Sequence, residues 1–180
     1  TGRIGGEVAR HVLQLGGQVV AYDLVHDPAL ANLDGFTYAS SLERMAAQAD
    51  VLTVHVPLTE ATRNLIDAGL LSKLPTGACL VNTARGDIVD QGAVAAALQE
   101  GTLAAYHADV LPGEPEPPDL ARFQQREDVL FTPHLAAYDD ATLQVRYERT
   151  ARIIQAVLEG RPEAVASFRL GGEGKVEEER

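Results

Sequence analysis

Ile4, Val8, Val12 and Leu15 recur at helical spacing, and Gly16-Gly17 follows them, so a helix is expected over the first fifteen positions with a glycine stop. QVVAYD (18–23) then reads as a short buried strand ending in an acid. In TYASSLERMAAQAD (37–50), Ser40 stands three residues before Glu43, the signature of a capping box opening a short helix. VLTVHVP (51–57) is an apolar strand broken by Pro57, and DAGLLSKLP (67–75) is a short helix ended by a proline. GACLVNTARGD (77–87) is a strand running into a polar turn. DQGAVAAALQEG (90–101) is an alanine-rich helix with Asp90 as cap and Gly101 as stop. LAAYHADV (103–110) and DVLFTPH (128–134) are further strands, separated by LPGEPEPPD (111–119), whose prolines exclude a helix or a central strand. From Asp139 to Glu159, Leu143, Tyr147, Ile154 and Leu158 mark a long helix closed by Gly160 and Pro162, and the last ten residues, GGEGKVEEER, have the composition of a disordered tail.

Strands and helices alternate, and the strands are continuous apolar runs. That pattern predicts an α/β fold, a parallel sheet with helices on both faces. The carboxyl ends of parallel strands share one edge, where ligands bind. The residues just past the predicted strands are Asp23, His55 to Thr59, Thr83 to Arg85, Asp109 and His134. They are distant in sequence, and the topology brings them to one rim.

Composition narrows the partners. The chain has 180 residues and a net charge of −11, a sign that disfavours nucleic acid and anionic membranes. No apolar run reaches membrane-spanning length. The single cysteine, Cys79, excludes an intrachain disulfide and favours a reducing, cytoplasmic setting. No metal-binding motif is apparent.

The start of the chain, TGRIGGEVAR, places Gly2 and Gly5 directly before the first helix. Asp23 follows Gly5 by eighteen positions, the separation at which an acid reaches the ribose hydroxyls of a dinucleotide whose phosphates sit on the glycine turn. Without a following basic residue, such an acid favours NAD over NADP. Taken singly, each polar residue has a plainer reading. Arg85 caps the turn or pairs with Asp87, Glu114 is solvated in its loop, His55 is a satisfied polar group at a strand end, His134 is structural, and His11 and His26 are surface residues.

HVPLTEATRNLI, LVNTARGDIVD, ADVLPGEPEP and TPHLAAY resemble, in order, the motifs of the D-isomer-specific 2-hydroxyacid dehydrogenases, from Thr1 to about Pro162. The resemblance implies a Rossmann-type, three-layer, doubly wound parallel sheet whose first strand, first glycine and substrate domain would precede Thr1. Residues 1–162 would be an NAD-binding domain incomplete at its N-terminus, and 163–180 an acidic C-terminal segment. Arg85 would bind the carboxylate and carbonyl oxygen of a 2-hydroxy or 2-oxo acid, a task suited to a planar, permanently charged fork. His134 would be the general acid/base, and Glu114 the carboxylate that pairs with it and stabilises the imidazolium. Gly2, Arg3, Ile4 and Gly5 would hold the pyrophosphate, Asp23 the ribose, and Asp109 the nicotinamide carboxamide. Pro57, Thr59, Thr83, Ala84 and Ala136 would line the cofactor groove. Relatives pair through this domain, so a homodimer is implied.

Tyr106 and His107 stand where that family has small or aliphatic residues. His107 falls two residues before Asp109, on the same strand face, where it would touch the cofactor side or join the core. Ala136 and Ala137 stand where glycine or serine is common, with the bulky Tyr138 beyond them, and the glutamate at 114 argues against the formate dehydrogenase branch. Substrates favoured by general likeness are 3-phosphoglycerate and hydroxypyruvate or glyoxylate. The competing expectations are an NAD(H)-sensing corepressor-like binding protein and an inactive, poorly soluble fragment whose missing strand leaves two interior edges bare.

Overall fold

Short segments, closed by side-chain caps and glycines, build the fold. The computed structural model describes residues 1–114, 120–123 and 125–161. The chain divides into two compact units, Thr1–His134 and a second beginning at Leu135. In the first unit the order is α1 (Arg3–Gln14), β1 (Val19–Ala21), α2 (Pro28–Ala31), β2 (Phe36–Tyr38), α3 (Leu42–Ala46), β3 (Val51–Val54), α4 (Ala68–Leu71), β4 (Ala78–Asn82), α5 (Gln91–Gln99), β5 (Leu103–Ala108) and β6 (Val129–Phe131). Asp27, Asp67 and Asp90 each accept N–H bonds from the first turn of α2, α4 and α5, satisfying donors that have no partner within the helix. Gly16 and Gly101 follow α1 and α5 in left-handed backbone, which glycine adopts without a Cβ clash.

All strand pairs are parallel, in two groups. β1 pairs with β2, and β3-β4-β5-β6 form a four-stranded sheet in chain order. Two rows cross the larger sheet in register, Leu52, Leu80, Tyr106 and Val129, then Val54, Asn82, Ala108 and Phe131. These rows belong to one face, and most of their members are buried in the main core together with residues of α3, α4 and α5. A second, smaller cluster of Ala9, Leu30 and Phe36 joins α1 and α2 to β1 and β2. Among the described residues no ladder joins β1 to β3.

Several expectations change. α2 and β2 were not foreseen, because three- and four-residue segments give too few positions for a period to show. The cap of α3 is Ser41, whose hydroxyl accepts the Arg44 N–H, and not Ser40, so the helix starts one residue later than the Ser40–Glu43 box implied. α1 buries Gly6 and Ala9, while Ile4 and Leu15 are exposed. Small residues let the helix approach α2, with a Cβ on Gly6 only 3.5 Å from Leu30. Tyr106 is core. His107, in the next register row, is exposed and not part of the core, whereas Asp109 is buried just beyond the end of β5.

The second unit holds the expected long helix, α6 (Asp140–Leu158), which is capped by Asp139 through the Thr142 N–H. Its residues Tyr147, Ile154 and Leu158, read as an apolar stripe, are exposed. The expected boundary at 162/163 and the acidic tail lie outside the described residues. No described helix is long and apolar enough to cross a membrane.

Leu80 has no exposed surface at the centre of the core. Leu80→Ala is expected to lower the unfolding free energy by about 2–5 kcal/mol in urea titrations. Leu15→Ala, at a position 88% exposed, should change it by less than about 0.5 kcal/mol.

Candidate active site

Three in-register strands end together. Asn82, Ala108 and Phe131 are neighbours across β4, β5 and β6, so the segments that leave them start side by side. The ladder continues one step further, since Asp109 N–H donates to Asn82 O at 3.0 Å and Thr132 N–H to Ala108 O at 3.0 Å. Arg85, Glu114 and His134 lie on these three segments.

The segment after β6 turns sharply. His134 adopts left-handed backbone (φ 55°), and its N–H donates to Thr132 O at 3.0 Å. The ring Nδ1–H donates to Glu114 Oε2 at 2.6 Å. The other Glu114 oxygen accepts the Leu111 N–H at 2.6 Å, so the carboxylate is anchored to its own loop while it holds the imidazole. Thr132 Oγ1 donates to the buried Asp109 carboxylate.

The segment after β4 is fixed from below. Asn82 is fully buried; its Nδ2–H donates to Arg85 O at 2.9 Å and its Oδ1 accepts the Ala84 N–H at 3.0 Å. Arg85 is exposed, with one guanidinium N–H on Ala84 O at 2.6 Å. Asp87, a suggested partner of Arg85, is paired instead with Arg63 at 2.8 Å. Gly86 packs on the Leu111–Pro112 peptide so closely that a Cβ would overlap its backbone atoms. The arginine turn therefore touches the loop that carries Glu114.

Beside this edge lies a groove of about 500 Å³ lined by Gly2, Arg3 and Ile4, by His55 to Leu58 after β3, and by Thr83, Ala84 and Arg85 after β4. α1 opens on it at Gly2, which supplies no side-chain cap, and its first turn carries no acid. The end of a twelve-residue helix is thus left as a positive, N–H-lined terminus, suited to an anion such as a pyrophosphate. A Cβ on Gly2 would meet nothing within 4 Å, so the approach is open, whereas one on Gly5 would press on His55 Cβ at 3.2 Å. The two glycines thus act differently, one leaving ligand space and the other allowing close helix–strand packing.

Asp23, at the end of β1, accepts from the Thr1 amino group, from Thr1 Oγ1 at 2.8 Å and from the Val25 N–H at 3.2 Å. Burial pushes its carboxyl up, but these bonds outweigh burial and hold it below its ordinary range. Thr59 adjoins the groove, with its N–H on Thr62 Oγ1 and that hydroxyl on Pro57 O. Ala136 belongs to the second unit. His55 is a strand-end residue bonded to Thr53 Oγ1 at 3.0 Å, as its plainer reading held. His26 is exposed and stacks on Tyr38 at 3.9 Å.

Sequence reasoning missed Asn82 and Gly86. A buried asparagine ending an apolar strand was a usable signal. The need for glycine at 86 was not, since it comes from a loop some 25 residues away.

Residues 1–136 match the D-isomer specific 2-hydroxyacid dehydrogenase, NAD binding domain. The chain is 33% identical over 166 residues to the glycerate dehydrogenase of Methylorubrum extorquens, covering 91% of this chain and 50% of that protein. It is 41% identical over 136 residues to the D-3-phosphoglycerate dehydrogenase of Mycobacterium tuberculosis, covering 76% of this chain and 25% of that one. Its structure superposes on D-lactate dehydrogenase from Aquifex aeolicus, solved with NAD and lactic acid, with a TM-score of 0.83 and 32% identity over 91% of this chain and 53% of that chain. The chain belongs to the D-isomer specific 2-hydroxyacid dehydrogenase family, of which it carries the NAD-binding domain. It spans about half the length of the first curated relatives it matches.

Two outcomes follow from this geometry. Gly86→Ala should force the Leu111 backbone aside and cost about 1–3 kcal/mol of stability, read as a lower denaturation midpoint. His55 is half-buried, and burial pulls its imidazole below the ordinary 6.5. Below that value the unfolded chain then binds more protons than the folded one, so the His55 contribution to stability is intact above 6.5 and is lost as the pH falls through this window. Urea midpoints between about pH 7.5 and pH 5 should fall less steeply in His55→Gln than in the wild type.

Proposed function

We propose that this chain is the cofactor half of an enzyme that interconverts a D-2-hydroxy acid and its 2-oxo acid with NAD. The observation that carries the proposal is the 2.6 Å Glu114–His134 pair, on the same sheet edge as the anchored Arg85 turn, which itself lines the groove at the open end of α1.

The N–H groups of Arg3, Ile4 and Gly5 and the space over Gly2 would hold the pyrophosphate, and Asp23 would accept the ribose hydroxyls. Pro57, Thr59, Thr83 and Ala84 would flank the cofactor, Asp109 would face its carboxamide, and Ala136 joins this set on family likeness. Bound NAD supplies or accepts the hydride at C2 of the substrate.

The chain's own residues do the rest. Arg85 holds the substrate carboxylate and polarises the C2 oxygen, fixing the acid in one orientation. His134 donates a proton to that oxygen during reduction and takes it back during oxidation. Glu114 keeps Nδ1 occupied, so the other ring nitrogen faces the substrate.

Relatives named for glycerate and D-3-phosphoglycerate support small hydroxylated or phosphorylated acids, with 3-phosphoglycerate and hydroxypyruvate or glyoxylate favoured. The lone Cys79 and the pairing habit of the family support a cytoplasmic homodimer, which light scattering of the native protein tests.

In the native full-length protein, NADH oxidation is measured with glyoxylate, hydroxypyruvate, phosphohydroxypyruvate and pyruvate. At least one should be turned over. His134→Gln should lower kcat by about 100- to 10,000-fold with NADH affinity retained. Arg85→Ala should raise the KM of the 2-oxo acid by roughly 10- to 100-fold. Tight NADH binding without turnover of any acid would overturn the proposal and return the sensing reading.

A further inference from the structure

Tyr38, the last residue of β2, is in register with Ala21 of β1, two residues before Asp23. Its ring is fixed by packing. It lies flat on His26 at 3.9 Å and edge-on to Phe36 at 4.9 Å, against the small cluster of Ala9, Leu30 and Phe36. The hydroxyl makes two hydrogen bonds. It accepts the Asp27 N–H at 3.0 Å and donates to Thr1 Oγ1 at 2.9 Å. Thr1 Oγ1 donates in turn to Asp23 Oδ2 at 2.8 Å.

The direction of this chain is set by its ends. An amide N–H only donates, and an ionised carboxylate only accepts. Between them stand two hydroxyls with one hydrogen each. Asp23 takes the hydrogen of Thr1, so Thr1 Oγ1 is left to accept the hydrogen of Tyr38. Each bond polarises the next, and the loss of one member weakens the others.

Tyr38 thereby reaches both oxygens of Asp23. Through Thr1 it fixes Oδ2. Through Asp27 it holds the loop between β1 and α2, whose Val25 N–H donates to Oδ1 at 3.2 Å. The Thr1 side chain is only 7% exposed, so water replaces a lost partner poorly there. The Asp23 side chain is 28% exposed and stays accessible to a ligand.

Resting on the assignment of Asp23 to the ribose, we propose that Tyr38 is a positioning residue for the dinucleotide. Its hydroxyl fixes the plane of the Asp23 carboxylate, so that the lone pairs left by Thr1 and Val25 meet the ribose diol in one orientation. Without that hydroxyl the carboxylate samples several planes and must be ordered when the ligand binds.

The test uses Tyr38→Phe in the native full-length protein, with Asp23→Ala beside it. The substitution keeps the ring and its stack on His26 and removes the hydroxyl. Calorimetry compares ADP, which carries the ribose diol and the pyrophosphate, with 2′,3′-dideoxy-ADP, which lacks the diol. In Tyr38→Phe the dissociation constants of ADP and NADH should rise by about fivefold, while that of dideoxy-ADP stays within about twofold of wild type. Asp23→Ala should weaken ADP by about tenfold and abolish its advantage over dideoxy-ADP. In the ligand-free protein, amide hydrogen exchange at Asp27 should quicken by about five- to tenfold in Tyr38→Phe, while Leu98, inside α5, keeps its rate.

Equal losses for ADP and dideoxy-ADP mean that Tyr38 only supports the fold, and they overturn the proposal. An unchanged ADP constant or unchanged Asp27 exchange does the same. If these failures occur while Asp23→Ala still abolishes the preference for ADP, the ribose assignment stands and Tyr38 alone is excluded. If Asp23→Ala keeps that preference, the assignment of Asp23 fails and takes the proposal with it.

Discussion

The peptide between Leu111 and Pro112 rests directly on the α-carbon of Gly86, and the sheet edge is organised around that approach. On one side of the contact is the turn that presents Arg85, and on the other is the loop that presents Glu114. Hydrogen bonds alone would leave each segment tethered only to its own strand, Asn82 holding one and Leu111 N–H the other. Steric contact between two backbones makes them a single surface. The glycine is required by crowding and not by conformation, because its φ is not among the positive ones. A methyl group at this point would separate a cation from an imidazole that no direct bond joins.

The electrostatics of the groove run against those of the chain. With a net charge of −11 the chain as a whole repels anions. The groove gathers the positive features available to it: the unneutralised terminus of α1, Arg3 and Arg85. A local field opposed to the net charge steers small anions to one place and disfavours polyanions elsewhere on the surface.

The parts of the fold that were legible share a cause. β3 to β6 were visible as unbroken apolar runs because both faces of a parallel sheet are ordinarily covered, and their order along one edge followed from parallelism alone. Asp90 was legible as a cap because a carboxylate before a helical period has little else to do there. Ser41 was not, since Ser40 has the same chemistry and the choice between them depends on where β2 ends. The inward side of α1 was misjudged because size mattered more than hydrophobicity: Gly6 and Ala9 fit against Leu30, and Ile4 does not. His134 could be placed on the rim from sequence, whereas Glu114 joined it only through family likeness; their 2.6 Å contact is made with His134 in left-handed backbone, which is uncommon for a residue other than glycine.

Glu114 has a consequence for the neutral form of its partner ring. An ionised carboxylate only accepts hydrogen bonds, so the imidazole keeps its hydrogen on Nδ1 and leaves Nε2 with a lone pair. A neutral His134 is therefore already the tautomer that can act as a base. An amide at 114 would favour the reverse: with Leu111 N–H on its oxygen, its NH₂ would face Nδ1 and the ring hydrogen would move to Nε2. One side-chain oxygen thus decides in which direction the ring is poised to pass a proton.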